Sequence, residues 1–490
     1  GSVNQTPLDW EGNEARLIAL IETARSFGVQ VLCLPELAIT GYGCEDTFFS
    51  KSLVQYSLTV LEHLIAASKD IAVLVGLPIA YQDKRYNAAA FIFNQSLQGI
   101  VGKRVLCNDG VHYEGRWFSA WPKGTRTTIE VLGQQVPFGD IAFEVDGFRI
   151  GVEICEDAWV ADRPAWDLAA RDVDVILNAS ASHFAFGKYG VRKTLMLEAA
   201  QKSSCAYVYA NLLGCEAGRM IYDGDCIISS GYEIIAEGTR FTFADQQLAS
   251  ACLNLEELRA KRNVKRQSDA HFIPVKVSDG FSLDSLQCVP IDGRAAWESL
   301  SGEALKCEEF LRAVALGLFD YLRKTYSGGF VVSLSGGSDS SSVVVLVHAM
   351  VRLAISSISF AGLKQKLAYI PGIQNADSEQ ALMKLLLTCV YQRTKNNSEQ
   401  TQHAARELSK AVGAEYFLFE LDKLVTQYVE MVEAALGSQL TWENDDVALQ
   451  NVQARVRVPG LWLLANKKKK LLLTTSNRSE AAVGYTTMDG

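Results

Sequence analysis

Three short segments in the first half of the chain each carry a run of apolar residues into a group able to do chemistry. They are LPELAITGYG (34–43) with Glu36, GKRVLCNDGVHYEGRWF (102–118) with Lys103 and Glu114, and GVEICEDAW (151–159) with Cys155. A cysteine attacks a carbonyl as thiolate, so it needs a base or a cation beside it. Glu36 is suited to take the thiol proton and later to activate water, and Lys103 to hold the oxyanion of a tetrahedral intermediate. Glu114 is suited to orient both. Taken singly, the same residues read as ordinary: a strand-end cysteine as a small packed hydrophobe, a lysine as a solvated turn residue, a glutamate as a helix cap. The catalytic reading requires that they converge at strand ends, where α/β folds gather residues from distant parts of the sequence.

A second constellation is VVSLSGGSDSS (331–341), an apolar strand, a Ser/Gly turn and a helix start. Adjacent glycines allow positive φ and close approach of the backbone to a ligand. The free N–H groups of a helix start, with serine hydroxyls around them, make an anion site. Asp339 in that setting suits phosphate when a Mg²⁺ bridges the two. Neither GxxxxGK[ST] nor GxGxxG occurs in the chain. By itself the motif also reads as a plain strand-to-helix turn capped by Ser338 or Asp339.

These residues need elements to hold them. Residues 13–27 place Leu17, Ile18, Leu20, Ile21 and Ala24 on one helical face, with Gly28 as the stop and a strand over 29–34. The same helix-then-strand order recurs at 53–68 and 71–77, and further strands are predicted at 89–93, 148–154, 173–177 and 205–210. The pattern is a layered α/β domain over residues 1–250. Residues 251–302 are first charged and helical, then turn-rich and strandless, and read as a connector. A second α/β domain follows over 303–490, with a helix at 305–324, a buried strand at 330–334 and a helix at 340–353. The most apolar stretch, 343–363, carries His348 and Arg352 and is broken by Ser356, Ser357 and Ser359, which predicts a buried helix and strand and no membrane span.

With 490 residues, 48% hydrophobic and 21% charged, the composition is globular and allows two large domains. Lys+Arg 47 against Asp+Glu 56 gives a net charge of −9, which disfavours a nucleic-acid partner. Eleven cysteines, an odd number without a CxxC, argue against a disulfide framework and for reduced thiols in a cytoplasmic protein. The first ten residues are polar and unlike a secretory signal.

In this order, the three segments around Glu36, Lys103 and Cys155 resemble the signatures of the nitrilase (carbon–nitrogen hydrolase) superfamily over roughly residues 3–245. The resemblance implies an αββα sandwich that hydrolyses amides through a thioester. It casts Glu36, Lys103 and Cys155 as the triad and Glu114 as an auxiliary glutamate. The family's first strand is largely missing before Val3. For members that hydrolyse glutamine, the resemblance further implies Tyr42 and Trp159 flanking the pocket, and Ser182 and Lys188 holding the amino-acid end of the substrate. A hydroxyl donor and an ammonium suit a carboxylate. Ser182 alone also reads as a turn hydroxyl bonded to its own backbone.

SGGSDS after an apolar strand resembles the PP-loop of the ATP pyrophosphatases, a Rossmann-like fold. That resemblance places Ser335, Gly336, Gly337, Ser338, Asp339 and Ser340 on ATP, which the family cleaves to AMP and pyrophosphate as it adenylylates a carbonyl-type oxygen. LQNVQARVR (449–457) and TTSNRSE (474–480), running on to AAVGYTTMDG (481–490), are similar to the NAD synthetase family. This implies Thr475 near the triphosphate, Glu480 and Asp339 on Mg²⁺, and Arg455 in the nucleotide site. Without the resemblance, Arg455 is a solvated helix residue and Glu480 an exposed carboxylate. The family's pattern continues past TMDG, where this sequence stops.

Joined, the two halves resemble the glutamine-dependent NAD⁺ synthetases. The substrates implied are glutamine, ATP and deamido-NAD⁺, without nucleic acid or membrane, in a homo-oligomer built on synthetase-domain dimers. One rival is another glutamine-fed PP-loop amidotransferase, acting on a purine nucleotide or a tRNA. Another is a catalytically silent metabolite-binding scaffold. The acidic balance weighs against tRNA, NRSE and QNVQAR against purine nucleotides, and intact Glu36, Lys103, Cys155 and SGGSDS against a scaffold.

Overall fold

Asp9 starts the first helix, Trp10–Ser26, by accepting the Gly12 N–H at 3.1 Å, and Glu11 and Arg25 complement the dipole at its two ends. The strand Ala72–Tyr81 alternates with the period of two expected of a sheet buried on both faces. Val73, Val75 and Leu77 meet Leu17, Ile21, Leu61 and Leu64 of the helices Trp10–Ser26 and Lys51–Ala67. Ala72 and Leu74 face the other way, into a core shared with Val152, Ile154, Val175 and Leu177. The computed structural model in which these contacts are seen describes residues 1–231, 233–260, 262, 272–275, 289–475, 479 and 482. Its chain divides into two units, Gly1–Gly317 and Leu318–Gly490.

The first unit is a four-layer αββα sandwich. Its six-stranded sheet runs Val31–Cys33, Ala72–Tyr81, Lys84–Phe93, Ser96–Gly102, Gln134–Gly139 and Arg126–Val131. Its seven-stranded sheet is centred on the parallel strands Phe148–Ile154, Val175–Ser180 and Ala206–Asn211. Between the sheets Phe91 and Phe143 stack at 4.3 Å. The outer face of the second sheet, with Ile176, Tyr207 and Ile227, lies under the helices Pro164–Ala170 and Lys188–Ser203. At the amino end Ser2–Val3 pairs antiparallel with Gln246–Gln247.

The stretch 251–302 is not strandless. Ile273–Val275 adds a parallel edge strand beside Phe143–Val145. Three residues around Pro274 are too few to show a period of two, and a sheet edge is where a strand proline is tolerated.

The second unit is a parallel sheet in the order Glu415–Glu420, Leu387–Arg393, Phe330–Ser333, Leu471–Leu473. Helix Ser338–Lys366 leaves the end of Phe330–Ser333 and packs on that strand and on Leu387–Arg393. No strand interrupts residues 343–363, contrary to expectation; the segment is helical apart from a break at Ser359, where φ is 68°. Its β-branched residues and serines favour extended backbone only weakly, and burial of Val344, Val347, Val351 and Ala354 along one face decides for helix. The helix is long and apolar enough to cross a bilayer by composition, yet that face is buried within the unit.

One glycine fixes the approach of the Glu36 turn to the sheet. A Cβ on Gly76 would lie 2.2 Å from Leu37 N and 2.6 Å from the Glu36 Cα, while its own N–H bonds Pro35 O at 3.1 Å. Gly76→Ala therefore forces the 35–37 turn off the strand. The expected outcome is a stability loss of about 3 kcal/mol by chemical denaturation.

Candidate active sites

Glu36 follows the strand Val31–Cys33, Lys103 follows Ser96–Gly102, and Glu114 opens the turn Glu114–Arg116. All three side chains are fully buried. The Lys103 ammonium donates to Glu36 Oε1 at 2.6 Å and to Glu114 Oε1 at 2.7 Å. The remaining carboxylate lone pairs are also met. Asn87 Nδ2 donates to Glu36 Oε1 at 2.7 Å, Ala181 N to Glu36 Oε2 at 2.9 Å, Tyr42 OH to Glu114 Oε1 at 2.7 Å and Cys107 N to Glu114 Oε2 at 3.1 Å. Burial opposes the charge on Lys103, but Glu114 and Glu36 outweigh it and hold the ammonium well above its ordinary range. Burial, helped by the Glu114 charge and opposed by Lys103, pushes Glu36 up to about 7, a value matched to a base working near neutrality.

Cys155 sits where the strand Phe148–Ile154 turns into the short helix Cys155–Trp159, in left-handed backbone at φ 46°. A non-glycine residue there stores strain, and two buried side chains hold it. Asp157 Oδ2 accepts the Ile154 N–H at 3.0 Å, and Asn178 Oδ1 accepts the Cys155 N–H at 3.3 Å. Asp157 also accepts Arg104 N at 3.0 Å and Val105 N at 2.8 Å through Oδ1, tying the lysine segment to the cysteine turn. Burial first, then the Glu36 charge, pushes the Cys155 thiol far up, against Lys103. Cys155 therefore rests as a thiol, and a nucleophilic role would require its proton to leave as sulfur attacks. Ala181 N–H, bonded to Glu36, also faces the Cys155 sulfur and places carboxylate and sulfur together.

The four residues expected around the substrate occupy distinct positions. Tyr42 is buried with its hydroxyl engaged by Glu114, so it steadies that carboxylate. The Lys188 ammonium lies 5.4 Å above the Trp159 ring. Ser182 Oγ accepts from Arg192 Nη2 at 3.1 Å, which leaves its O–H free to donate to a ligand. Arg192 is itself buried, anchored on Asp223 at 2.9 Å, and also donates to the Ser182 and His183 carbonyls. Asp157, Asn178, Asn87 and Arg192 were not singled out in the sequence: each acts through backbone or side-chain bonds to residues far away in the chain, and only the proximity of Asp157 to Cys155 hinted at it.

In the second unit the serine-glycine turn stands at the carboxyl end of Phe330–Ser333. Gly336 has φ +80° and a Cβ there would meet Thr401 O at 2.3 Å, so only glycine lets the loop lie on the helix Glu399–Val412. Ser340 Oγ accepts the Ser335 N–H at 3.2 Å and pairs with Ser335 Oγ at 3.0 Å, which shapes the turn, while Gly337, Ser338 and Asp339 are exposed. Thr475 lies two residues beyond the pair Val332–Leu473, on the same sheet edge. Arg455 is exposed at the end of the helix Asp446–Arg455. Glu480 lies outside the described residues. Sequence reasoning passed over Arg393, Lys395, His403 and Arg406, which with Glu399 and Gln402 line a cleft of about 510 Å³ at the start of Glu399–Val412. Their scatter over 393–406 has no linear motif.

Replacing Lys103 by methionine leaves two buried carboxylates without a cation, and a stability loss of about 3–5 kcal/mol is expected. The sign of its pH dependence follows from Glu36. A carboxyl raised from its ordinary 4.5 to about 7 binds its proton more tightly folded than unfolded, so its ionisation destabilises the fold as pH rises. Lys103 lowers the Glu36 carboxyl in the wild-type protein, so removing it raises that carboxyl further, and Lys103→Met should regain stability as pH falls through neutrality towards 4.5, read as a rising thermal unfolding midpoint.

Two family models match the chain, carbon–nitrogen hydrolase over residues 2–263 and NAD synthase over residues 310–490. The chain is 31% identical over 523 residues to the glutamine-dependent NAD(+) synthetase of Homo sapiens, covering 99% of this chain and 73% of that protein. It is 30% identical over 522 residues to the Macaca fascicularis protein of the same name, with the same coverage of 99% and 73%. The solved glutamine-dependent NAD(+) synthetase of Cytophaga hutchinsonii superposes with a TM-score of 0.84 at 38% identity, over 100% of this chain and 76% of that one. The Acinetobacter baumannii enzyme in complex with adenosine diphosphate, at 22% identity and a TM-score of 0.71 over 100% and 76% of the two chains, shares the fold. The αββα unit with its buried Glu–Lys–Glu cluster and the parallel-sheet unit with its SGGSDS turn are thus the two halves of one known architecture, and the chain belongs to the glutamine-dependent NAD(+) synthetase family.

Proposed function

We propose that the chain makes NAD⁺ from deamido-NAD⁺, ATP and L-glutamine, with AMP, pyrophosphate and glutamate as the other products. The observation that carries the reading is the fully buried Glu36–Lys103–Glu114 cluster beside the strained Cys155 turn.

In the first unit the Cys155 sulfur attacks the glutamine side-chain carbonyl carbon as its proton passes to Glu36. The carbonyl oxygen becomes an oxyanion stabilised by the Lys103 ammonium, a donor held in place before the reaction begins. Glu36 then returns the proton to the leaving nitrogen, the C–N bond breaks, and ammonia departs from a γ-glutamyl thioester. Water, deprotonated by Glu36, attacks the thioester; glutamate leaves and the sulfur takes the proton back. Glu114 and Tyr42 keep Lys103 oriented. Lys188 and the Ser182 hydroxyl receive the glutamine α-carboxylate.

In the second unit the Ser335–Ser340 turn and the start of the helix Ser338–Lys366 hold the phosphates of ATP. A carboxylate oxygen of deamido-NAD⁺ attacks the α-phosphorus and pyrophosphate leaves; ammonia then attacks the acyl carbon and AMP leaves. Thr475 and the cationic cleft of Arg393, Lys395 and Arg406 line the path of the triphosphate, and Arg455 meets the nucleotide. An exposed carboxylate and hydroxyls are the hard oxygen donors that Mg²⁺ takes, so Asp339 and Ser338 fit the ion, with Glu480 as its second carboxylate. Bound there, Mg²⁺ neutralises phosphate charge. Making and using ammonia on one polypeptide limits its loss to ammonium in water.

Association of two copies is supported by the helix Asp422–Leu436, which buries no residue and exposes Leu424, Tyr428, Met431 and Leu436. A second copy of the unit would cover this face.

The test is Cys155→Ala assayed with each nitrogen donor. Glutamine-driven NAD⁺ formation should fall by roughly 10³-fold or more, as for removal of a nucleophile, while ammonium-driven formation persists. Loss of both activities in a folded variant would contradict the two-site reading.

A further inference from the structure

Three side chains of different chemistry converge on the segment between Lys103 and Glu114. Sγ of Cys107, a carboxylate oxygen of Asp109 and a ring nitrogen of His112 all lie within 4.8 Å of one another. Among the described residues no other group of three Cys, His, Asp or Glu donors meets that distance. We propose that Cys107, Asp109 and His112 bind a divalent metal ion of the zinc class, and that its binding switches off ammonia release from glutamine. Metal binding is independent of the amidase reading above; the effect on glutamine rests on it.

The donor set selects the ion. Thiolate, imidazole and carboxylate together are ligands of Zn²⁺, whereas Mg²⁺ and Ca²⁺ take oxygen alone. The spacing agrees. Two donors each about 2.1 Å from a tetrahedral ion stand about 3.4 Å apart, and a sulfur about 2.3 Å from it stands about 3.6 Å from the nitrogen. His112 Nδ1 lies 3.3 Å from each Asp109 oxygen, so this pair already has the separation of two ligands. The sulfur has about 1 Å or less to close.

The surroundings supply a frame, a fourth donor and an entrance. Asp109 Oδ1 accepts the Val111 N–H at 2.9 Å and the His112 N–H at 2.7 Å, which holds the carboxylate against the ring. Cys107 and His112 are buried and Asp109 is exposed, so an arriving ion meets the carboxylate first. The Cys107 thiol bonds the carboxylate of Glu156, the residue after Cys155. As the sulfur–metal bond forms, the thiol proton leaves to water, and the ion that replaces it meets Glu156 as well. His112 also lines a cavity of about 260 Å³ with Tyr42, Glu216 and Arg219, which admits a hydrated ion.

The site is wired to the buried cluster. Cys107 N–H donates to Glu114 Oε2 at 3.1 Å, and Glu114 N–H donates to Cys107 O at 3.0 Å. Glu114 Oε1 in turn accepts from the Lys103 ammonium at 2.7 Å. Drawing the thiol towards Asp109 and His112 therefore pulls on the carboxylate that orients Lys103, and engaging Glu156 pulls on the Cys155 turn.

The test titrates the whole chain with Co²⁺, a spectroscopic stand-in for Zn²⁺, and then with Zn²⁺. Co²⁺ should give a sulfur-to-cobalt charge-transfer band in the near ultraviolet, with the intense visible bands of a tetrahedral ion, and Zn²⁺ should erase both. Cys107→Ser should lose the charge-transfer band, and Cys155→Ala should keep it. Asp109→Asn and His112→Phe should each weaken Co²⁺ binding roughly 100-fold or more, since losing a ligand costs more than losing a residue that only orients one. With Mg²⁺ in excess, Zn²⁺ should cut ammonia release from glutamine by roughly tenfold or more, within the range of coupling between two sites, while ammonium-driven NAD⁺ formation persists. No band in the wild-type protein, or one that survives Cys107→Ser or vanishes in Cys155→Ala, would overturn the site. The expected band without inhibition would overturn the switching role. Absence of ammonia release from glutamine before any Zn²⁺ is added would instead overturn the amidase reading, with the cobalt spectrum still deciding the metal site.

Discussion

A lysine with no solvent exposure holds two carboxylates that are equally buried, and the chemistry of the first unit depends on that arrangement. Moving such charges out of water is repaid only when every lone pair and proton finds a partner. Here Asn87, Ala181, Tyr42 and Cys107 supply the missing donors. The same burial sets the chemistry. It raises Glu36 to about 7, where the carboxyl can both take and return a proton, and it keeps Cys155 protonated until attack. A site of this kind does not hold a standing thiolate; it moves the thiol proton over a short distance at the moment of reaction. The sandwich exists to bring the ends of three strands to one point, and Gly76 and Asp157 set how closely those ends approach.

The second unit solves a different problem with a related device. Its parallel strands end together, and the turn after Phe330–Ser333 presents backbone and hydroxyl groups in place of a buried ion pair. Gly336 is required there because Thr401 O occupies the space a side chain would take. The exposed loop and the cationic cleft beside Thr401 suit a large, highly charged ligand that is bound and released, whereas the first unit buries its cluster of charged groups.

Much of this was legible in the sequence because strand ends declare themselves. Apolar runs closing on Glu36 and Cys155 marked both strands and reacting groups, and SGGSDS marked its turn by glycine and serine alone, while the strand Ser96–Gly102 that delivers Lys103 lies where a turn was expected. The supporting bonds were not legible. Asn87 reaches Glu36, Arg192 reaches Asp223 and Ser182, and Asn178 reaches Cys155 across sequence separations that no local pattern encodes. Local propensity also misled where tertiary burial prevailed. Residues 343–363 form helix in spite of their β-branched and serine content, and Ile273–Val275 forms a strand in spite of Pro274.

The most direct measurement of the central claim is the mass of the protein quenched in acid while it turns over L-glutamine, with the modified thiol located by peptide mapping. The buried Glu36–Lys103–Glu114 cluster predicts a γ-glutamyl adduct on Cys155 and on no other cysteine. No adduct at all, or one on the exposed thiols Cys252 or Cys307, would contradict it.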